Sequence, residues 1–211
     1  MNECEELAEI IGIILGDGSI YCNKSKNVYQ LRIAGNSETD KEYLIHYMKP
    51  LIERIFKTKV RIKFHSTCKE MFLCVNRKNI ILELKKFGLF PGNKKKNNHG
   101  IPSWIFKKNK YIKSCLRGLI DTDGSLCPKT PNHPCSSIWF KSCIPNLRKD
   151  FSKSFNILNF HWSKWTDTNR INTKQCCLGR STEVIRYYKE IGFKNIKHIR
   201  RFHKFAKVPV V

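Results

Sequence analysis

An apolar run closed by Asp-Gly-Ser occurs twice along the chain. In residues 5–16, Leu7, Ile10, Ile11 and Ile14 share one helical face while Ile13 and Leu15 cover the others, which predicts a central helix buried on all sides. After Asp17-Gly18-Ser19 the chain gives Ile20-Tyr21-Cys22, a polar turn at 23–27, and a run at 28–34. In that run Tyr29, Leu31 and Ile33 alternate with Gln30 and Arg32. This is a hairpin signature with one core face and one polar, basic face. Residues 40–56 predict a helix on Leu44, Tyr47, Met48, Leu51 and Ile55, kinked at Pro50. A second hairpin follows, with Val60, Ile62 and Phe64 facing one way, Arg61, Lys63 and His65 the other, and residues 71–75 pairing back. A helix from about Lys78 then ends at Phe87-Gly88.

The same order restarts at Tyr111. It passes through a second apolar helix, short strands at 126–127 and 136–141, a helix at 145–155, strands at 160–165 and 173–178, and a helix from 182 to Ile191-Gly192. Gly12 and Gly118, Asp17 and Asp123, and Gly18 and Gly124 are separated by one common offset, and Phe87-Gly88-Leu89 recurs as Ile191-Gly192-Phe193. The chain therefore divides into a first half at 1–90, a breaker-rich basic linker at 91–110, a second half at 111–193 and a basic tail at 194–211. In the tail Ile196, Ile199, Phe202 and Phe205 recur every third residue, which predicts a terminal amphipathic helix docked on the core.

Glycine inside an apolar helix costs up to about 1 kcal/mol against Ala, so Gly12 and Gly118 need a reason, and close approach of another backbone is the usual one. Two helices packed at these glycines bring Asp17 and Asp123 side by side at one edge of the interface. Paired carboxylates there are oxygen ligands for Mg²⁺ or a similar hard cation. The same residues also fit two buried helices that end at glycine caps, each Asp only turning the chain. Duplication ahead of basic strands favours the metal reading.

Charge adds a partner. Forty Lys and Arg stand against 17 Asp and Glu, a formal charge of +23 over 211 residues, and the excess is spread along the whole chain. A polyanion is the economical explanation. The longest apolar run, residues 10–15, is far too short to span a membrane. The start Met1-Asn2-Glu3-Cys4-Glu5-Glu6 is acidic where a secretory signal is basic, which predicts an intracellular setting: cytoplasm, nucleoid or an organelle with its own genome. In that setting the ten cysteines stay reduced, and Cys74, Cys115, Cys176 and Cys177 in apolar segments behave as small hydrophobes. Cys127, His133, Cys135 and Cys143 lack a Cys-x-x-Cys pair and have irregular spacing, which argues against zinc. His46, His161, Trp104, Trp139, Trp162 and Trp165 are read as packing.

A β-ribbon can enter the major groove and offer every second side chain to base edges. The candidate nucleic-acid contacts are Lys24, Lys26, Asn27, Gln30, Arg32, Arg61, Lys63 and His65 in the first half. In the second they are Lys129, Asn132, Ser137, Lys141, Lys164, Arg170, Asn172 and Lys174. The Lys run of the linker, 94–96, is read as solvated or phosphate-contacting.

The second motif, Leu116-Arg117-Gly118-Leu119-Ile120-Asp121-Thr122-Asp123-Gly124, resembles that of the LAGLIDADG homing endonucleases in their single-chain, two-motif form. The first, Ile10 to Gly18, departs from the pattern at Leu15, where the family's first acid usually stands. The resemblance implies an α+β fold of two pseudo-symmetric αββαββα repeats, antiparallel sheets forming a DNA-binding saddle, and motif helices packed at the interface. It implies a site-specific endonuclease acting on double-stranded DNA as a monomer. That enzyme hydrolyses both strands across the minor groove with Mg²⁺ or Mn²⁺ and leaves short 3′ overhangs. The metal ligands carried over are Asp17 and Asp123 with the carbonyls of Gly16 and Thr122. A basic residue near the scissile phosphate matches Lys141, and the corresponding place in the first half falls at about Asn36. A maturase that assists splicing of an intron RNA on the same fold, and a catalytically inactive DNA-binding module, are the alternatives.

Overall fold

A computed structural model of the chain describes residues 1–128, 136–166 and 174–206, with only the backbone at 136, 165, 166, 174, 175 and 206. Helix α1 (Glu5–Leu15) and helix α4 (Asn109–Asp123) pack against each other through the centre. Each leads directly into a four-stranded antiparallel sheet. The first sheet has β1 (Gly18–Asn23), β2 (Val28–Asn36), β3 (Arg61–Phe64) and β4 (Glu70–Val75) in the order β1-β2-β4-β3. The second repeats this with β5 (Gly124–Pro128), β6 (Ser136–Ser142), β7 (Ser163–Thr166) and β8 (Lys174–Leu178) in the order β5-β6-β8-β7. Helices α2 (Lys49–Phe56), α3 (Lys78–Lys86), α5 (Pro145–Ile157) and α6 (Ser181–Glu190) complete the two αββαββα halves, and α7 (Ile196–Ala206) follows.

The register makes the halves superimposable strand by strand. Gly18 pairs with Ile33 and Ile33 with Leu73; Gly124 pairs with Phe140 and Phe140 with Cys176. Leu31, Ile33, Leu73, Leu126, Ile138, Phe140 and Leu178 turn into one continuous core with the helices. Alternation turns Ser19, Gln30, Arg32, Ser125, Trp139 and Lys141 to the opposite face.

The central contact depends on glycine. A Cβ on Gly12 would collide with the backbone carbonyl of Cys115, and one on Gly118 with that of Glu9, so only glycine lets α1 and α4 come this close. Across the same interface Arg117 donates from Nε to Glu9 Oε1 at 3.1 Å, and the Tyr47 hydroxyl donates to the same oxygen at 2.8 Å.

Three local features depart from the sequence pattern. The helix expected over 40–56 is a π-helical turn, Tyr43–Met48, running into α2. Pro50 has no N–H and its ring crowds the carbonyl of His46 four residues back, a conflict that the wider turn relieves. A 3₁₀ segment, Ser103–Lys107, leads into α4, with Trp104 donating its indole N–H to the Phe87 carbonyl at 3.2 Å. His46 and His161 are exposed, so neither is a packing residue. The docked α7 presents Phe202, 1% exposed, stacked on Tyr188 at 3.9 Å between ring centroids. The cysteines among the described residues are free thiols, with Cys74, Cys115, Cys176 and Cys177 buried. No helix among the described residues is long and apolar enough to cross a membrane.

Candidate metal centre and nucleic-acid interface

Because α1 and α4 cross at Gly12 and Gly118, their C-terminal ends emerge together. There Gly16 packs against the Thr122 side chain and the Asp123 carboxyl, and a Cβ on Gly16 would lie 3.5 Å from Asp123 Cγ. Thr122 holds its own place by donating Oγ1 to the Gly118 carbonyl at 2.9 Å. Asp17 and Asp123 each have a solvent-exposed side. The protein on their other flank strips water from Asp17, and together with the neighbouring Asp123 charge this pushes its carboxyl up to about 7. Asp123 is raised too, first by loss of water, while Lys94, a hydrogen bond with Asp17 and Lys197 draw it back. Loss of water is the larger cause for both acids, and only Asp17 is raised further by its neighbour's charge.

Two lysines reach this pair. The Lys94 ammonium donates to the carbonyl of Leu15 at 2.9 Å and to that of Gly16, covering the C-terminal carbonyls of α1 with positive charge. Lys197, on the first turn of α7, acts on both acids and forms a 2.7 Å ion pair with Asp40. The sequence pattern puts Lys94 in a solvated or phosphate-contacting linker run and Lys197 on a polar helix face. Each follows the helix-ending glycine of its half, Gly88 or Gly192, by a few residues, so carrying the repeat past those glycines exposes both.

The site fits a hard divalent cation by its donors. Among the described residues no cluster of three or more His, Cys, Asp or Glu is poised for a metal. Two carboxylates beside main-chain carbonyls, open to solvent, match the partial ligand sets in which Mg²⁺ keeps waters and takes substrate phosphate oxygens. The Gly16 carbonyl already attracts the cationic Lys94.

On the first sheet, pairing sets Ser19, Arg32, Cys74 and Arg61 in one row across the strands. The Arg32 guanidinium carbon lies over the Phe72 ring, 3.2 Å from its centroid, and Gln30 donates to Asn76 Oδ1 at 3.0 Å. Lys63 and His65 are exposed on this side of the sheet, and Lys24, Lys26 and Asn27 are exposed on the β1–β2 turn. Asn27 has a φ of 50°, and the Asn23 carboxamide caps the turn through the N–H of Lys26 at 3.0 Å. The equivalent row of the second sheet is Ser125, Trp139, Cys177 and Ser163, so an uncharged aromatic row replaces an arginine row.

Several expected contacts are corrected by the register. Lys164 pairs with Cys176, whose thiol lies 3.6 Å from the Ser152 hydroxyl of α5, so Lys164 occupies the helix-side position matching Ile62 rather than the free face. Ser137 is on the free face but 2% exposed, at the base of a cavity of about 540 Å³ shared with Trp139, Trp162 and Arg180. Lys141 matches Ala34, not Asn36, because Phe140 matches Ile33; Ala34 donates its N–H to the Asp17 carbonyl at 3.2 Å. Asn36 instead caps the following turn through the N–H groups of Glu38 and Thr39. Lys129, Asn132, Arg170 and Asn172, with His133 and Cys135, lie outside the described residues, as does the side chain of Lys174.

Two αββαββα halves joined at crossed motif helices, with one acid at the end of each helix, define the fold of the LAGLIDADG homing endonucleases in single-chain form. Mesophilic variants of the homing endonuclease I-DmoI superpose with a TM-score of 0.64 at 17% identity, covering 89% of this chain and 95% of theirs. I-DmoI in complex with DNA and Ca superposes at 0.65 and 19% identity over 89% of this chain and 88% of that one. The I-LtrWI LAGLIDADG homing endonuclease bound to target DNA gives 0.63 at 12% identity over 95% and 89%. No family model matches the sequence. The Replication factor C small subunit of Methanocaldococcus jannaschii is 31% identical over 154 residues, 70% of this chain. The chain spans 8% of that protein's length.

Proposed function

We propose that the chain is a site-specific endonuclease that binds double-stranded DNA along the free faces of its two sheets and cuts both strands at Asp17 and Asp123. The observation that carries this reading is the pairing of the two acids at the ends of the crossed helices, beside the Gly16 and Thr122 carbonyls and flanked by Lys94 and Lys197. The likeness to homing endonucleases solved with target DNA, and with Ca or Mn, supports it. The match to 8% of the length of the Replication factor C small subunit carries no role over to this chain.

Phosphodiester hydrolysis needs an activated water, a neutralised phosphate and a stabilised leaving oxygen. A bound Mg²⁺ or Mn²⁺ supplies Lewis acidity to the phosphate and lowers the pKa of its water. Asp17 and Asp123, with the Gly16 and Thr122 carbonyls, hold the cation through charge and oxygen lone pairs. Beside such a cation both carboxyls would be drawn to their ionised form. Lys94 and Lys197 add positive charge where the scissile phosphates enter, and Lys141 adds it along the second strand ladder. Arg32, over the Phe72 ring, and Arg61 present guanidinium groups suited to bidentate contact with guanine. Both motif helices belong to one chain, so the active unit is a monomer.

The test is incubation of the purified chain and Mg²⁺ with a plasmid library carrying the DNA that flanks its gene. Linear products cut at one sequence with short 3′ overhangs are expected. Intact plasmid under conditions where the protein is folded sinks the reading, and preferential binding to intron RNA redirects it to a maturase.

A further inference from the structure

Lys94 and Lys197 reach the acidic pair by unlike routes. Lys94 is held by main-chain carbonyls at the end of α1. Lys197 is held by a side chain from the other half of the molecule. Asp40, at the start of the helical segment after β2, accepts from Lys197 Nζ at 2.7 Å through Oδ1. The same oxygen accepts from Asn195 Nδ2 at 3.0 Å, and Oδ2 accepts the Asn36 N–H at 3.2 Å. Asn195, 1% exposed, also donates to the main-chain carbonyl of Asp121 at 3.0 Å, and its Oδ1 caps α7 through the N–H of Lys197 at 3.1 Å. One buried amide therefore ties together the first half, the second motif helix and α7, two residues from the lysine that faces the site.

We propose that Asp40 and Asn195 form a clasp between the halves that positions Lys197 at the metal centre and makes the cutting of the two strands unequal. The argument is geometric. A lysine has four rotatable side-chain bonds, and a rigid partner is required to hold its ammonium at one point. Asp40 is itself fixed by Asn36 and Asn195, with a side-chain exposure of 15% against 24% for Lys197, so the pair is shielded from the screening that weakens surface pairs. The ion pair also splits the Lys197 charge between Asp40 and the site, whereas Lys94 donates to the main-chain carbonyls of Ile14, Leu15 and Gly16. The two lysines thus present different net charge to the phosphates.

The inference rests on the proposed endonuclease reading, and two measurements separate them. Without metal or DNA, acylation of lysines by an activated ester, followed by mass spectrometry, is compared between the wild type and Asp40→Asn, which keeps shape and hydrogen-bond acceptance but loses charge. Several-fold faster labelling of Lys197 with unchanged labelling of Lys94 is expected. Equal changes at both lysines, or none at Lys197, overturn the clasp. With a cleavable duplex and Mg²⁺, strand-resolved nicking is measured for Asp40→Asn, Lys197→Met and the double variant. Slowing of the same strand in both single variants, on the order of tenfold, with no further loss in the double variant, is expected. Equal slowing of both strands, or multiplicative losses, overturns the proposal. A wild type that cuts no duplex removes the endonuclease reading while the labelling result still decides the clasp.

Discussion

Arg117 of α4 reaches across the centre of the molecule to Glu9 of α1, Nε to Oε1 at 3.1 Å, and a second guanidinium nitrogen meets the other carboxylate oxygen. Glu9 is 1% exposed, so it cannot exchange this partner for water. Arg117→Met leaves a buried carboxylate with only the Tyr47 hydroxyl, and a loss of about 3–5 kcal/mol is expected. Combining it with Glu9→Leu removes the stranded charge and should recover most of that loss. Urea denaturation of the three variants checks this; equal destabilisation by single and double variants contradicts it.

Gly118→Ala sets two effects against each other. Alanine gains roughly 1 kcal/mol of helix propensity, but its Cβ meets backbone atoms of Glu9 and Ile13, which cannot swing aside as a side chain would. Overpacking of this kind costs about 1–3 kcal/mol, so a net loss of stability is expected. A melting temperature above the wild type would show that α1 and α4 can separate freely.

Asp121, also 1% exposed, gives a pH dependence. Its Oδ2 accepts the Lys194 N–H at 2.7 Å while Oδ1 has no partner among the described residues, and burial pushes its carboxyl up to about 8. The folded pKa lies above the unfolded one, so the folded state binds the proton more tightly. That stabilising effect is complete below the unfolded value near 4 and is lost as pH rises through about 8. Across this window stability falls by up to ~1.4 kcal/mol per pH unit. Asp121→Asn cannot ionise. Its stability relative to the wild type should therefore climb from pH 5 to pH 8 in denaturation curves, and a constant difference contradicts the assignment.

How much of this was legible in the sequence depends on the range of the interaction. Gly12, Gly118, Asp17 and Asp123 stood out because a backbone collision and a charge pair are written into residue type and repeated at one spacing. The strand alternation around Arg32 was legible for the same reason. The facing of Lys164 was not, because an edge strand takes its register from a partner, here Cys176 on β8. Misplacing the first-half counterpart of Lys141 by two residues came from counting along β2 without its pairing to β1. Lys94 and Lys197 looked like other surface lysines, and only the closing of the linker and of α7 onto the motif helices gives them a role.

A chain with a formal charge of +23 that meets DNA through Lys and Arg releases many counterions. Log affinity for duplex DNA should fall steeply and linearly with log salt, by close to one unit of slope for each phosphate contacted. Arg61→Ala and Lys63→Ala should each lower that slope by about one. Filter-binding titrations over a range of salt, without metal, measure it, and a nearly flat slope means that the charge faces elsewhere.

The central claim is that Asp17 and Asp123 hold the catalytic cation. Asparagine keeps the shape and one oxygen of each side chain but removes the charge that binds metal, so Asp17→Asn/Asp123→Asn should fold, bind duplex DNA at least as tightly as the wild type, and lose cleavage of both strands. The direct measurement is strand-resolved cleavage of the target duplex in Mg²⁺, with metal-free binding to the same duplex as control. Retained binding with no cut on either strand is the expected result; cutting of both strands at the wild-type rate by the double variant would contradict the account.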